Sequence, residues 1–156
     1  MQINWKVLDF EEINNFHLYQ LLKLRSKVFV VEQNCIYQDL DDKDQRAKHI
    51  IGILDNQIIA CSRILFEENI YVIGRIIVEK KYRRKKIGEI IVNKSIRYIL
   101  NISKKNKIKI SAQERLKEFY SKLGFIRKGK NYMEDGILHQ AMYYEELNNS
   151  VNDEKN

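Results

Sequence analysis

Val78-Glu79-Lys80-Lys81-Tyr82-Arg83-Arg84-Lys85-Lys86-Ile87-Gly88 joins two segments of different period. Before it, Asn69 to Val78 is rich in Ile and Val and long enough for a central strand buried on both faces. After it, Ile87 to Ser103 sets Ile87, Ile90, Ile91, Tyr98 and Ile102 along one helical stripe. A strand therefore runs through a basic turn into a helix. The first N–H groups of a helix lack partners and carry partial positive charge, so such a start suits a phosphate. Gly88 lets another group come close to the backbone. The side chains of Arg83, Arg84 and Lys86 add charge-assisted contacts. Neither G-x-x-x-x-G-K-[ST] nor G-x-G-x-x-G occurs in the chain, which excludes a Walker loop and a dinucleotide fingerprint.

The pattern extends outward on both sides. Lys107 to Ala112 reads as a strand, so the helix bridges two parallel strands. Upstream, His49 to Leu54 and Gln57 to Phe66 are strands separated by the turn pair Asp55-Asn56. With Asn69 to Val78 they form an antiparallel meander. Ile3 to Leu8 is a first strand. Ile13 to Val31 makes a helical face of Leu18, Leu21, Leu22, Val28 and Phe29, with Arg25 on the same stripe, where it snorkels, pairs or faces a site. Glu32 to Lys48 has no period and reads as a long loop. Downstream, Glu114 to Leu123 is a short helix ended by Gly124. Phe125 to Tyr132 and Ile137 to Glu146 make a hairpin around Glu134-Asp135-Gly136. The expected fold is α/β: a mixed, mostly antiparallel central sheet flanked by helices, with one parallel β-α-β crossover.

At 156 residues the chain is expected to be one domain over 1–147, with a polar, frayed tail at 148–156. Its 44% hydrophobic and 31% charged residues are ordinary for a globular protein. No apolar run is long enough to span a membrane, and the N-terminus lacks a secretory pattern. Cys35 and Cys61 have neither metal-ligand spacing nor scaffold density, so they read as free thiols of a cytoplasmic protein, and no metal is expected. The net charge of +7 calls for an anionic partner. A basic nucleic-acid-binding domain is the competing class. Only Tyr82 interrupts the basic run, and no helix-turn-helix, zinc or RNP pattern supports that class, so nucleic acid is not expected.

The basic loop resembles the acetyl-CoA loop of the GNAT acetyltransferases, written [RQ]-x-x-G-x-[GA], with Arg83 first and Gly88 last. Lys86 stands where the first glycine normally does. Glu118-Phe119-Tyr120-Ser121-Lys122-Leu123-Gly124-Phe125 resembles the family's later helix. Leu24 to Asn34, Tyr37-Gln38-Asp39, Val72 to Val78 and Glu134 to His139 are similar to the ElaA-like branch, which tolerates the lysine. The likeness covers nearly the whole chain up to about Glu146.

The resemblance implies a GNAT-type fold and transfer of an acetyl group from the co-substrate acetyl-CoA to a primary amine of a small molecule or protein. It implies that Ile76, Ile77 and Val78 hold the pantetheine arm and thioester through their backbone. Arg83, Arg84, Lys85, Lys86, Ile87 and Gly88 would hold the pyrophosphate, with Gln113 as a further coenzyme contact. Tyr120 becomes the general acid for the thiolate, since a phenol is protonated at neutral pH; packing in the core is its plainer reading. An alkylamine is about one part in 10³ neutral at pH 7, so a base or a desolvating pocket is needed. Glu32 and His139 are the candidates. Glu32 is equally able to orient the amine or cap backbone, and His139 to be a simple hydrogen-bonding residue. Phe29, Glu32, Gln33, Tyr37 and Arg75 are expected around the acceptor. His17 and His49 read as structural, while Arg63 and Arg75 bind an acidic substrate group or pair with the acidic loop. The cluster Asp39, Asp41, Asp42 and Asp44 reads either as an attractor for a cationic amine or as a solvated loop. Members of the family are often dimers, so a homodimer is a further expectation, and a non-catalytic acetyl-CoA sensor is the alternative function.

Overall fold

A computed structural model gives the fold of residues 1–146; the expected polar tail at 148–156 lies outside the described residues. Among the described residues, eight strands form one sheet in the order β1-β2-β3-β4-β5-β8-β6, with β7 also paired to β8. The strands are β1 (Asn4–Asp9), β2 (Lys48–Leu54), β3 (Gln57–Glu67), β4 (Ile70–Val78), β5 (Lys107–Gln113), β6 (Phe125–Arg127), β7 (Tyr132–Glu134) and β8 (Ile137–Tyr144). Only β4 and β5 run parallel, joined by the crossover helix α2 (Ile87–Ile102). The expected α/β architecture is thus the observed one. The β2-β3 turn at Asp55 and Asn56 has φ values of 49° and 60°, and the β3-β4 turn at Glu68 and Asn69 has 51° and 63°. Both are the left-handed turn conformations that match strand twist and suit Asp and Asn.

The sheet separates two cores. One face packs Ile50, Ile64, Ile73 and Ile110 against α2 and α3 (Lys117–Lys122). The other packs Ile51, Cys61 and Ile77 against Leu21, Leu24 and Val28. The first helix, α1 (Asn15–Arg25), is shorter than its periodicity suggests. From Ser26 to Glu32 the chain widens into a π-type turn, with the N–H of Gln33 bonded to the Val28 carbonyl at 3.1 Å. The stripe expected on α2 is also rotated. Ile87, Ile91, Val92, Ile96 and Ile99 are buried, whereas Ile90 and Ile102 face solvent, because the helix lies on the sheet along its i, i+4, i+5 ridge. The expected strand Phe125 to Tyr132 is broken in two, and Glu134 ends β7 instead of starting the turn. Four residues, 128–131, stand opposite Gln140 and Ala141 of β8. The buried Gln140 amide fills this break by donating to the carbonyls of Lys128 and Gly129, both at 3.0 Å.

Candidate functional site

Strands β4 and β5 pair only from Ile70–Ile73 against Lys107–Ile110, and beyond that register each goes on without the other. The separation leaves one edge of Gly74–Val78 without a β5 partner. On the other edge, a bulge opposite Ser62 puts Arg75 at φ 48°. The expectation that β4 is buried on both faces is therefore corrected. Only Ile73 and Ile77 are buried, because the diverging strands open a groove of about 1720 Å³.

The α2 start forms one wall of this groove. Arg84 and Lys86 both hold φ 62°, and Lys86 caps the helix in the left-handed region. A glycine adopts that geometry without strain, which explains the glycine of the usual pattern; a lysine there costs about 1 kcal/mol. The backbone shape survives the substitution, and a cation is added. Gly88 needs no special φ: an added Cβ would sit 3.5 Å from Phe119 and 3.8 Å from Val78, in ordinary contact. That agrees with alanine as the alternative in the pattern. Arg83, Arg84, Lys86, Ile87 and Gly88 all line the groove, and together they can hold phosphates. Lys85 does not line it; its ammonium lies 5.9 Å from the centre of the Tyr82 ring. The Ile77 side chain points into the α1 core, so only its backbone is available, whereas Ile76 and Val78 reach the groove.

Arg83 has a second engagement. It donates to the Val78 carbonyl at 2.9 Å and forms a forked ion pair with Glu32. That bond from Arg83 holds the Glu32 carboxyl below its ordinary range. Glu32 reaches across because the π-type turn brings the end of the first helical segment to the groove mouth. Phe29 stacks beside Arg75, 6.0 Å from its guanidinium.

Tyr120 lies within the core and on the groove at once. Its ring meets Phe119 and Phe125 edge-on, with centroids 5.1 and 5.9 Å away. Burial pushes its hydroxyl up to about 12, so the phenol is protonated throughout the neutral range. Farther along, Gln113 donates to the Gln33 side chain at 3.1 Å. His139 is flanked in register by Gln113 of β5 and Tyr132 of β7. Its Nδ1 donates to the Ile137 carbonyl at 2.7 Å, which places the ring proton there and turns Nε2 toward Glu134, 3.3 Å away.

The acidic cluster is neither a substrate attractor nor a solvated loop. Arg25, 1% exposed, donates to Asp39 at 2.9 Å and Asp44 at 2.7 Å. Arg63 clamps Asp41 with two bonds of 2.8 Å and touches Asp44 at 3.1 Å. Arg75 pairs with Asp39 at 2.7 Å and Asp41 at 3.3 Å, and Tyr37 donates to Asp39 at 3.0 Å. Only Asp42 is exposed. Burial opposes ionisation of Asp44, but Arg25 and Arg63 outweigh it and hold the carboxyl below its ordinary value; Arg63 does the same for Asp41. Three arginines and three aspartates neutralise one another, which a buried charge requires. Arg63 and Arg75 thus pair with the loop, one of the two readings left open for them. His49, pushed down by burial, bonds the Asp44 carbonyl at 2.9 Å and is structural, as expected.

Sequence reasoning missed Ser111, Tyr132 and Glu134, which line the groove beside His139. Alternation along β5 put Ser111 on the face of Gln113, but the strand break that positions Tyr132 and Glu134 left no local signal.

The chain matches the family model described as "Acetyltransferase (GNAT) domain" over residues 15–146. It is 38% identical to Protein ElaA of Escherichia coli over 145 residues, covering 90% of this chain and 95% of that one. The crystal structure of Escherichia coli ElaA superposes with a TM-score of 0.87 at 37% identity, over 92% of this chain and 100% of that one. An acyl-CoA N-acyltransferase from Pseudomonas aeruginosa superposes equally, at 0.87 and 30% identity, with the same coverage.

Proposed function

The chain belongs to the GNAT acetyltransferase family, whose members draw on an acyl-CoA co-substrate, and from that premise we propose that it is an acetyl-CoA-dependent N-acetyltransferase acting on a primary amine. The observation that carries this reading is the protonated Tyr120 on a groove between diverging β4 and β5, with a basic left-handed turn at one wall. Arg83, Arg84, Lys86 and the N–H groups at Ile87 and Gly88 take the pyrophosphate, with Lys85 at the rim. Backbone groups of Ile76, Ile77 and Val78, freed from pairing with β5, hold the pantetheine arm and polarise the thioester carbonyl. Gln113 borders the same arm.

His139 accepts a proton from the acceptor, because its Nε2 lone pair faces the groove side of β8. The amine nitrogen attacks the thioester carbon, the C–S bond breaks, and Tyr120 protonates the departing thiolate. The tyrosinate then recovers a proton from the new amide nitrogen by way of solvent. Glu32 is a weaker base while Arg83 holds it. Once the pyrophosphate takes Arg83, the released Glu32 carboxylate attracts the incoming acceptor at the groove mouth, beside Phe29, Gln33, Tyr37 and Arg75.

We infer a cytoplasmic location from the need for acetyl-CoA, and a homodimer from the family resemblance, with light scattering as the check on the latter. Among the described residues no helix is long and apolar enough to cross a membrane. Isothermal titration with acetyl-CoA, against coenzyme A and ATP, tests the core of the proposal. Micromolar binding selective for acetyl-CoA is expected. No binding at millimolar acetyl-CoA would overturn it.

A further inference from the structure

Four polar side chains converge where β5, β7 and β8 meet at the groove. Tyr132 donates to the Ser111 hydroxyl, and Ser111 donates to Glu134 Oε2 at 3.1 Å. The same carboxylate oxygen lies 3.3 Å from His139 Nε2. The Tyr132 ring stacks on the imidazole, 6.1 Å between centroids and 21° between planes. The buried Gln140 amide maintains the strand break that creates β7 and brings Tyr132 and Glu134 beside β8. Of the other carboxylates lining this groove, Glu32 pairs with Arg83, Asp41 with Arg63 and Arg75, and Glu67 with Lys43 and Arg46, while Glu89 lies exposed in the first turn of α2 and Asp135 on the exposed turn, neither of them beside a histidine. Glu134 has no lysine or arginine partner among the described residues, and its side chain is 49% exposed.

We propose that Glu134, with His139, forms the docking and proton-accepting site for a primary alkylammonium acceptor. This rests on the acetyltransfer reading above. The ammonium enters against the Glu134 carboxylate and gives one proton to His139 Nε2, and the resulting imidazolium is neutralised by Glu134. The neutral amine then forms the C–N bond, and His139 later releases its proton to solvent. The Tyr132–Ser111 chain ends on Glu134 as donors, so it holds the carboxylate in place without competing for the proton. The site selects substrates by charge: an alkylammonium gains an ion pair and loses a proton, whereas a nucleophile already neutral at the assay pH needs neither.

The test compares butylamine with hydrazine at pH 9, where hydrazine is largely neutral and butylamine still largely protonated, as acceptors for acetyl-CoA, reading thiol release by wild type and by Glu134→Gln and Glu134→Asp. Glu134→Gln keeps the shape and removes the charge. Its kcat/KM for butylamine is expected to fall at least about 10-fold further than for hydrazine, in line with loss of acid–base assistance, and Glu134→Asp is expected to recover part of the loss. Equal losses for the two nucleophiles, or none, would overturn the proposal. Wild type that binds acetyl-CoA calorimetrically but fails to acetylate butylamine would overturn it as well. Absence of acetyl-CoA binding would instead overturn the underlying functional reading.

Discussion

Under the proposed function, Tyr120 and Lys86 each bear on stability and chemistry together. Tyr120 is held by two aromatic edges and raised to about 12 by burial, so it arrives as a protonated donor at no cost in ordering. Tyr120→Phe preserves those edges and removes only the hydroxyl, so turnover is expected to fall by about 10²-fold. The Kd for acetyl-CoA, read by calorimetry, is expected to stay near the wild-type value; unchanged turnover would remove Tyr120 as the acid. Lys86 holds φ 62° as a helix cap, where its Cβ is strained. Lys86→Gly is expected to stabilise the free protein by about 1 kcal/mol. That is a rise of about 2–4 °C in Tm for a domain of this size, while acetyl-CoA binding weakens through the lost cation. A lower Tm would mean that the lysine side chain outweighs its backbone strain. Gly124, by contrast, sits at φ 103° after α3 with Tyr144 2.9 Å from where a Cβ would lie, so no side chain is tolerated there.

Among the elements, the irregular ones bear most directly on function. The loop between the π-type turn and β2 lacks periodicity, yet three aspartates bind it to arginines on the first helix and on β3 and β4. Removing one partner of such a buried network leaves charge uncompensated. Arg25→Ala, which strands Asp39 and Asp44, is expected to cost about 3–5 kcal/mol, seen as a lower urea midpoint with slope unchanged. A loss below about 1 kcal/mol, the range of surface pairs, would show that solvent reaches the cluster. The same loop enters from Glu32, whose pair with Arg83 spans two elements that both border the groove. Glu32→Gln loosens that pair. The expected result is tighter acetyl-CoA binding by calorimetry, because Arg83 no longer has to exchange a carboxylate for a phosphate; weaker binding would place Glu32 on the coenzyme's side.

The whole molecule carries its charges in a way that sets its pH range. Asp41 and Asp44 lie below their ordinary 3.8 in the folded chain, so the unfolded chain binds those protons first. Their stabilisation is complete above that value and is lost as pH falls from it through the lower value each carboxyl has in the folded chain. Buried His49, held below 6.5, acts in the same direction at higher pH, since the unfolded chain gains a proton there that the fold resists. Tyr37 and Tyr120, raised above 10.0 by burial, reverse the slope in base, where the unfolded chain ionises first. The Tm is therefore expected to be highest between about pH 7 and 9 and to fall on both sides. A Tm that rises on acidification from pH 7 to 5 would contradict this. By itself the sequence determined the meander, the crossover helix, the basic turn and the family resemblance, because period, turn residues and motif spelling act over neighbours in the chain. It left open the partners of Arg25, Arg63 and Arg75, the place where β4 and β5 part, the break before Tyr132 and the gathering of Ser111, Glu134 and His139. Those depend on strand register and on charges far apart in sequence that must meet once water is excluded, and only the tertiary structure decides them.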